Sequence, residues 1–189
     1  MASSTPSSTP VSAPDSSAFL GIIGNPLRFR LYLFTRIPSA YFSGLRIHEI
    51  NEDQCKVTVP YKRFTRNPFR STYFACLSMA AEMSTGALAM AQCYKRQPPI
   101  SMLVVSMEAN FFKKATTPTC FHCLDGKVIR QTIDQAIATG EGQTVKVRTV
   151  GYNPAGEPVA EFGITWSFKV KSSAKVKSSA KDKNSYIQK

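Results

Sequence analysis

Histidine and acidic side chains are scarce in this 189-residue chain. It has only two histidines, His48 and His122, and 12 acidic residues against 24 lysines and arginines. Two isolated histidines give little support to a Ser-His-Asp hydrolase, and the sequence has no P-loop or dinucleotide-binding glycine pattern. It also lacks helix-turn-helix, zinc-finger and RNA-recognition motifs, so we expect no specific nucleic-acid partner.

The positive charge is unevenly distributed. Residues 169–189 contain seven lysines and one aspartate, which is +6 of the net +12, and the hexamer KVKSSA occurs there twice in succession. Residues 1–18 are mainly Ser, Thr, Pro and Ala, which cannot bury enough apolar surface to order a chain. We therefore expect a disordered leader over 1–18, one domain over 19–170 and a disordered lysine-rich tail over 171–189. Such a tail attracts phosphates or anionic lipids only unspecifically.

The cysteines are odd in number and scattered, a pattern typical of reduced thiols, and we expect a cytoplasmic protein. They are Cys55, Cys76, Cys93, Cys120 and Cys123. The segment from Cys120 to Cys123 has no second ligand pair at zinc-site spacing, so it favours a strand with packed thiols and no metal.

Only one charged residue, Glu82, lies between Ser71 and Tyr94, a run that is otherwise apolar or small. An isolated buried carboxylate is costly, so a glutamate in such a run has either a bonded partner or a chemical role. The run is long enough to cross a membrane, but several polar side chains in it would then face lipid. A helix packed on most of its circumference is the better interpretation, and we expect no transmembrane segment.

The flanking segments have strand patterns. Asn25 and Pro26 predict the start of a short helix that ends before Pro38. The predicted strands are 45–51, 54–61, 102–113, 118–124, 143–152 and 159–170, whereas 126–138 is ambiguous and could be a helical insertion. This order predicts an α+β domain in which an antiparallel sheet curls around one long helix.

The order of elements resembles the hotdog fold, and two segments sharpen the likeness. Residues 67–82, with Asn67 before the helix and Glu82 within it, are similar to the phenylacetyl-CoA-type thioesterases. Residues 107–115 are similar to their long central strand. The resemblance spans roughly residues 40–168 and is closest to an uncharacterised branch of that superfamily.

The resemblance implies hydrolysis of an acyl-CoA thioester, with CoA present only as part of the substrate and no other cofactor. Glu82 would act as general base or nucleophile, and Asn67 would orient water or substrate, unless it is simply a cap or turn residue. The start of the helix and the turn after Glu82 would bind substrate; the residues concerned are Thr72, Tyr73, Phe74, Ala75 and Thr85. Thr85 could instead simply pack. The familiar thioesterases have His-Gly-Gly where this chain has Tyr73-Phe74-Ala75, which alters the expected oxyanion contact.

Glu82 lies eight residues after Phe74, or roughly 12 Å along a helix, so the two cannot act on one thioester within a single subunit. The resemblance implies a homodimer, or a dimer of dimers, that brings one subunit's amides to the other's carboxylate. Two alternatives remain: a non-catalytic acyl-CoA or lipid binder, and a structural Glu82 bonded to Ser78, Thr85 or a tyrosine. Hotdog hydratases are disfavoured, because Thr65 and Arg70 stand where those enzymes have their acid-base pair.

Overall fold

A computed structural model of the chain describes residues 12–171. The helices and strands follow one another in the order α1 (Ser16–Ile23), α2 (Pro26–Arg36), α3 (Pro38–Ser43), β1 (Arg46–Ile50), β2 (Cys55–Val59), α4 (Phe74–Cys93), β3 (Ile100–Phe111), β4 (Thr119–Cys123), α5 (Gly126–Thr139), β5 (Gln143–Tyr152) and β6 (Pro158–Val170). The six strands form one antiparallel sheet in the order β1-β2-β4-β5-β6-β3. The predicted α+β architecture, a sheet around a long central helix, is confirmed.

Small side chains bring α4 close to the sheet. Ala80, Ala81, Ala89 and Ala91 are completely buried, and α4 packs on strands that contribute larger buried residues such as Phe162. Among residues 12–171, α4 is the one helix that is long and apolar enough to cross a membrane by composition alone. Because it packs on β2, β4, β5 and β6, it is the central helix of the fold.

Three helices precede the sheet, of which the sequence predicted one. Asn25 caps α2 as expected, since its Oδ1 accepts the N–H groups of Leu27 and Arg28 at 3.0 and 3.1 Å. The short helices α1 and α3 have no strong pattern of their own and were missed. Ordered structure also begins earlier than residue 19, because Ser12 pairs with Gln97 and α1 begins at Ser16. Residues 1–11 and 172–189, which make up most of the predicted leader and tail, lie outside the described residues.

A β-bulge in β3 overturns one prediction about its faces. Alternation predicted a single apolar face, consisting of Leu103, Val105, Met107, Ala109 and Phe111. The register against β6 shifts between Val104 and Ser106, and one extra residue moves all later side chains to the other face. Leu103 therefore lies opposite Ser167, on the outer face, and only the last three residues of the predicted set face the helix.

The C-terminal half of β3 is nevertheless uncovered. Met107 and Phe111 pair with Ile164 and Ala160, which are completely buried, yet both remain largely exposed. β3 is also an edge strand, paired only with β6. The fold thus leaves open a sheet edge together with an apolar area on the helix side of the sheet.

The ambiguous segment after β4 is the helix α5, which packs on α4, β5 and β6. β4 itself is a strand, as predicted for the segment from Cys120 to Cys123. Its Cys123 pairs with Cys55 of β2, and both thiols are buried and reduced. Burial raises the pKa of the Cys123 thiol to about 12, so it is an inert packing group. Within residues 12–171 there is no cluster of His, Cys, Asp and Glu that could hold a metal ion.

Candidate functional site

Glu82 lies on the least buried stripe of α4. The half-buried residues on this stripe recur every three or four positions, as one helix face requires, and are Ala75, Ser78, Met79, Glu82, Gly86 and Met90. The opposite side of the helix is buried against the sheet. Glu82 is thus the one ionisable group on a narrow, otherwise uncharged strip of the central helix.

The carboxylate of Glu82 has no hydrogen-bond partner among the described residues. The hydroxyl of Ser78 donates to the carbonyl of Phe74 at 3.0 Å, and that of Thr85 donates to the main-chain carbonyl of Glu82 at 3.0 Å. Neither hydroxyl reaches the carboxylate. Burial raises the pKa of Glu82 above its usual range. These observations disfavour the structural alternative, which requires a bonded carboxylate.

Gly86 provides the space that this carboxylate occupies. A Cβ on Gly86 would lie 3.0 Å from Oε1 of Glu82 and 3.3 Å from the ring of Trp166. A glycine inside a helix lowers stability by roughly 0.5–1 kcal/mol relative to alanine. At position 86 it avoids the crowding that a Cβ would cause with Glu82 and Trp166. Trp166, the only tryptophan of the chain, is therefore a direct neighbour of the site.

Thr85 is committed to the core. Its side chain is fully buried, and its hydroxyl accepts the indole N–H of Trp166 at 3.0 Å while donating to the helix backbone. Both hydrogen-bonding functions of the hydroxyl are in use. The geometry therefore favours the packing role that the sequence left open for Thr85 over contact with a substrate.

An apolar cavity of about 120 Å³ lies beside Glu82, between α4 and the N-terminal helices. Its walls combine aromatic, aliphatic and methionine side chains, which are Phe19, Ile23, Phe29, Tyr32, Leu33, Ile37, Ile47, Met83, Ala87, Met90 and Met102. Ile23, Phe29 and Ile47 also border a second cavity of about 400 Å³ beneath α2. The two cavities share these three wall residues, and the second is also lined by Leu27, Arg30 and Arg46.

A separate cleft of about 820 Å³ lies at the start of α4. Four of the predicted site residues line it, namely Asn67, Thr72, Tyr73 and Phe74, whereas Ala75 does not. Glu82 does not line it. Within one subunit the structure thus divides the predicted residues into two groups, as the helix spacing predicted.

Asn67 and Thr72 organise the loop that forms this cleft. The Oδ1 of Asn67 accepts the N–H groups of Phe69 and Ser71 at 3.0 and 3.1 Å, and its Nδ2 donates to the Ser71 hydroxyl at 3.0 Å. Thr72 is buried and donates both its N–H and its hydroxyl to the carbonyl of Ala115. For Asn67 this geometry favours the turn role over orientation of a water.

The first amides of α4 point out of the helix with no internal acceptor, as helix geometry requires. In the part of the chain that the structure describes, neither the Phe74 nor the Ala75 N–H donates to a side chain or to another segment. Both can therefore receive an oxyanion, aided by the positive end of the helix dipole. The cleft lining contains Arg66, Lys113 and Lys114 and no acidic side chain, which favours an anionic ligand.

Sequence reasoning predicted α2 but named no residue of the N-terminal helices as part of the site. Phe19 and Ile23 of α1, and Phe29 and Leu33 of α2, form one side of the Glu82 cavity. The spacing of Phe29 and Leu33 by four residues was the available signal, because it marks a buried helix face.

The antiparallel sheet around α4, with a lone carboxylate on the open stripe of that helix, is the hotdog fold of thioesterase-like proteins. Within that class the chain belongs to the family described as domain of unknown function DUF4442, which matches residues 29–168. A search of the curated proteins finds no significant match to the sequence.

Solved structures give the same fold. The Pseudomonas aeruginosa protein PA5026, described as a probable thioesterase of unknown function, is 22% identical with a TM-score of 0.66, over 78% of this chain and 97% of that one. The Haemophilus influenzae thioesterase HI1161 is 14% identical with a TM-score of 0.55, over 73% and 87% of the two chains. Escherichia coli PaaI, from the phenylacetic acid degradation operon, is 12% identical with a TM-score of 0.54, over 77% and 94%. The predicted resemblance to hotdog thioesterases is confirmed at the level of the fold.

The raised pKa of Glu82 predicts a pH-dependent stability. Because burial favours the protonated carboxyl in the folded state, this group's contribution is fully present below the unfolded pKa of about 4.3 and is lost as pH rises through the higher folded pKa. Relative to wild type, Glu82→Gln should therefore gain free energy of unfolding as pH rises from about 4 towards neutrality. Urea denaturation at a series of pH values measures the difference. The exposed Glu141→Gln is the matched control, and a Glu82→Gln profile parallel to wild type would contradict the assignment.

Proposed function

We propose that this protein is an acyl-CoA thioesterase that works as a homodimer, with Glu82 activating the attacking water. The observation that carries the proposal is the unpartnered, half-buried carboxylate of Glu82 on the open stripe of α4, next to an apolar cavity. A carboxylate whose pKa burial raises towards neutral pH is a better proton acceptor than an ordinary glutamate.

In the proposed reaction, Glu82 takes a proton from water as the water oxygen bonds to the thioester carbon. The amides of Phe74 and Ala75 stabilise the negative charge that develops on the carbonyl oxygen. Collapse of the intermediate breaks the carbon–sulfur bond, and the proton passes to the CoA thiolate. Direct attack by the Glu82 carboxylate, followed by hydrolysis of the anhydride, is the variant of the same chemistry.

The proposal requires a dimer because the Phe74 amide and the Glu82 carboxylate lie far apart along α4. An antiparallel pair of α4 helices, related by an axis near Ser78, would place Phe74 of one subunit opposite Glu82 of the other. Three features support this pairing: the small residues Ala75, Ser78 and Gly86 on the open stripe, the free edge of β3, and the uncovered Met107 and Phe111 on the helix side of the sheet. Two such dimers pairing further would give the dimer of dimers.

The structure offers suitable surroundings for both the CoA phosphates and the acyl chain of the proposed substrate. Arg66 and Lys114 at the start of α4 suit the phosphates of CoA, while Lys113 is paired with Glu157 at 2.7 Å. The apolar walls beside Glu82 suit the acyl chain, and the methionines Met83, Met90 and Met102 can adapt to different chains. A cytoplasmic location, where CoA thioesters occur and thiols stay reduced, completes the proposal.

A non-catalytic acyl-CoA binder is the second candidate, and the aromatic pair at the start of α4 favours it. Tyr73 and Phe74 are 46% and 56% exposed, and their rings meet edge to face at 5.0 Å. A glycine at position 74 would let a thioester approach the backbone, whereas the rings of Tyr73 and Phe74 narrow the approach. The binder predicts that acyl-CoA changes Trp166 fluorescence without any release of thiol.

The thioesterase proposal predicts that Glu82→Gln lowers kcat by about 10²–10⁴, the usual contribution of a general base. Thiol release from short, medium, long and aromatic acyl-CoAs measures the turnover, and Trp166 fluorescence checks that the variant still binds. The control is Glu141→Gln, the same chemical change at an exposed position. Undiminished turnover in folded Glu82→Gln would refute the role of Glu82.

The oxyanion role of the Phe74 amide predicts a specific effect of Phe74→Pro. Proline is tolerated at the first position of a helix, and Tyr73, with φ −60° and ψ 132°, already has the conformation required before proline. The variant removes one N–H donor, so kcat should fall by about 10²–10³. Phe74→Ala, which loses the same ring but keeps the N–H, is the matched control. Equal activity of the two variants would exclude the amide from the reaction.

A further inference from the structure

Helix α2 has two apolar faces, although it needs only one to pack. Phe29 and Leu33 are buried against the domain. At 3.6 residues per turn, Leu27, Leu31 and Phe34 lie on the opposite side, where they are 82%, 64% and 52% exposed. We define these three residues as the outer stripe. A helix on the surface of a globular protein normally has polar residues in this position.

Basic residues border the outer stripe. On the helix wheel Arg28 lies on one side of it and Arg30 on the other, and Arg30 is held in place by its guanidinium 4.0 Å from the ring centre of Tyr41. Arg46 is exposed and lines the same cavity as Leu27 and Arg30, whereas the sequence has no acidic residue between positions 16 and 48. An apolar stripe flanked by arginines, without any acid, has the composition of a helix that lies in a membrane interface.

One residue of the outer stripe, Leu27, also lines a cavity. Leu27, Arg30 and Arg46 line the 400 Å³ cavity beneath α2, which shares walls with the cavity beside Glu82. A surface that contacts lipid at this point would place the part of the cavity lined by Leu27, Arg30 and Arg46 at the level of the lipid head groups. This arrangement adds a reason for a lipid partner that is independent of the charge pattern.

We propose that α2 docks the protein on an anionic lipid bilayer, with the outer stripe inserted between the head groups and the flanking arginines bound to lipid phosphates. The charge on this face selects anionic over zwitterionic lipid, since each basic residue near such a surface strengthens the attraction. The docking does not depend on the proposed thioesterase activity.

Flotation of the 189-residue protein with lipid vesicles tests the proposal. Wild type should bind vesicles containing phosphatidylserine about tenfold more tightly than pure phosphatidylcholine vesicles. The triple variant Leu27→Ser/Leu31→Ser/Phe34→Ser and the double variant Arg28→Gln/Arg46→Gln should each weaken this binding about tenfold. Leu124→Ser and Lys127→Gln, at exposed positions around the start of α5, are the matched controls and should bind like wild type.

Every variant keeps the lysine-rich C-terminal segment, so binding through that segment would be unchanged by the triple variant and would overturn the proposal. No binding of wild type to either vesicle would also overturn it. If the triple variant changed the oligomeric state in size-exclusion chromatography without lipid, the outer stripe would be an interface between copies of the chain instead. Circular dichroism checks that each variant is folded, which is expected because the substituted side chains are exposed.

Discussion

Close packing of α4 against the sheet determines most of what this fold can do. Alanines at Ala80, Ala81, Ala89 and Ala91 allow the sheet to approach the helix backbone, so that one side of α4 is completely enclosed. The other side keeps a narrow half-buried stripe, and Glu82 lies in the middle of it. A charged group on the enclosed side would be costly without a bonded partner, and the neutral Ser84 there has one in Thr149 at 2.9 Å. The open stripe is where a carboxylate without a partner can persist and remain accessible to water.

Local sequence signals predicted α2, α4 and the six strands. The Asn25-Pro26 pair, the alanine-rich run and the alternating strands each correspond to an element whose ends lie within about three residues of the prediction. The bulge in β3 could not be predicted, because it depends on pairing with β6, about 60 residues away in sequence. Helices α1 and α3 were missed because they are short and are stabilised by packing more than by their own propensity.

The candidate site was predictable in part. Glu82 stood out because a lone charge in an apolar run is rare, and the helix spacing correctly separated it from Phe74. The hydrogen bonds that engage Asn67 and Thr85 could not be read from the sequence, because they depend on a loop conformation and on a tryptophan 81 residues away. The same limit applies to the cavity walls supplied by α1 and α2. Asn67 and Thr85 illustrate that a fold can use a predicted site residue for structure instead.

In the proposed dimer, each active site combines the helix start of one subunit with Glu82 of the other. Mixing inactive Glu82→Gln with inactive Phe74→Pro subunits tests it most directly, after dissociation and reassociation at equal concentrations. Random pairing makes half of the dimers mixed, and each of these has one intact site, so activity should return to about a quarter of the wild-type value. A mixture that stays as inactive as its two components, although mass spectrometry shows mixed dimers, would contradict the shared site.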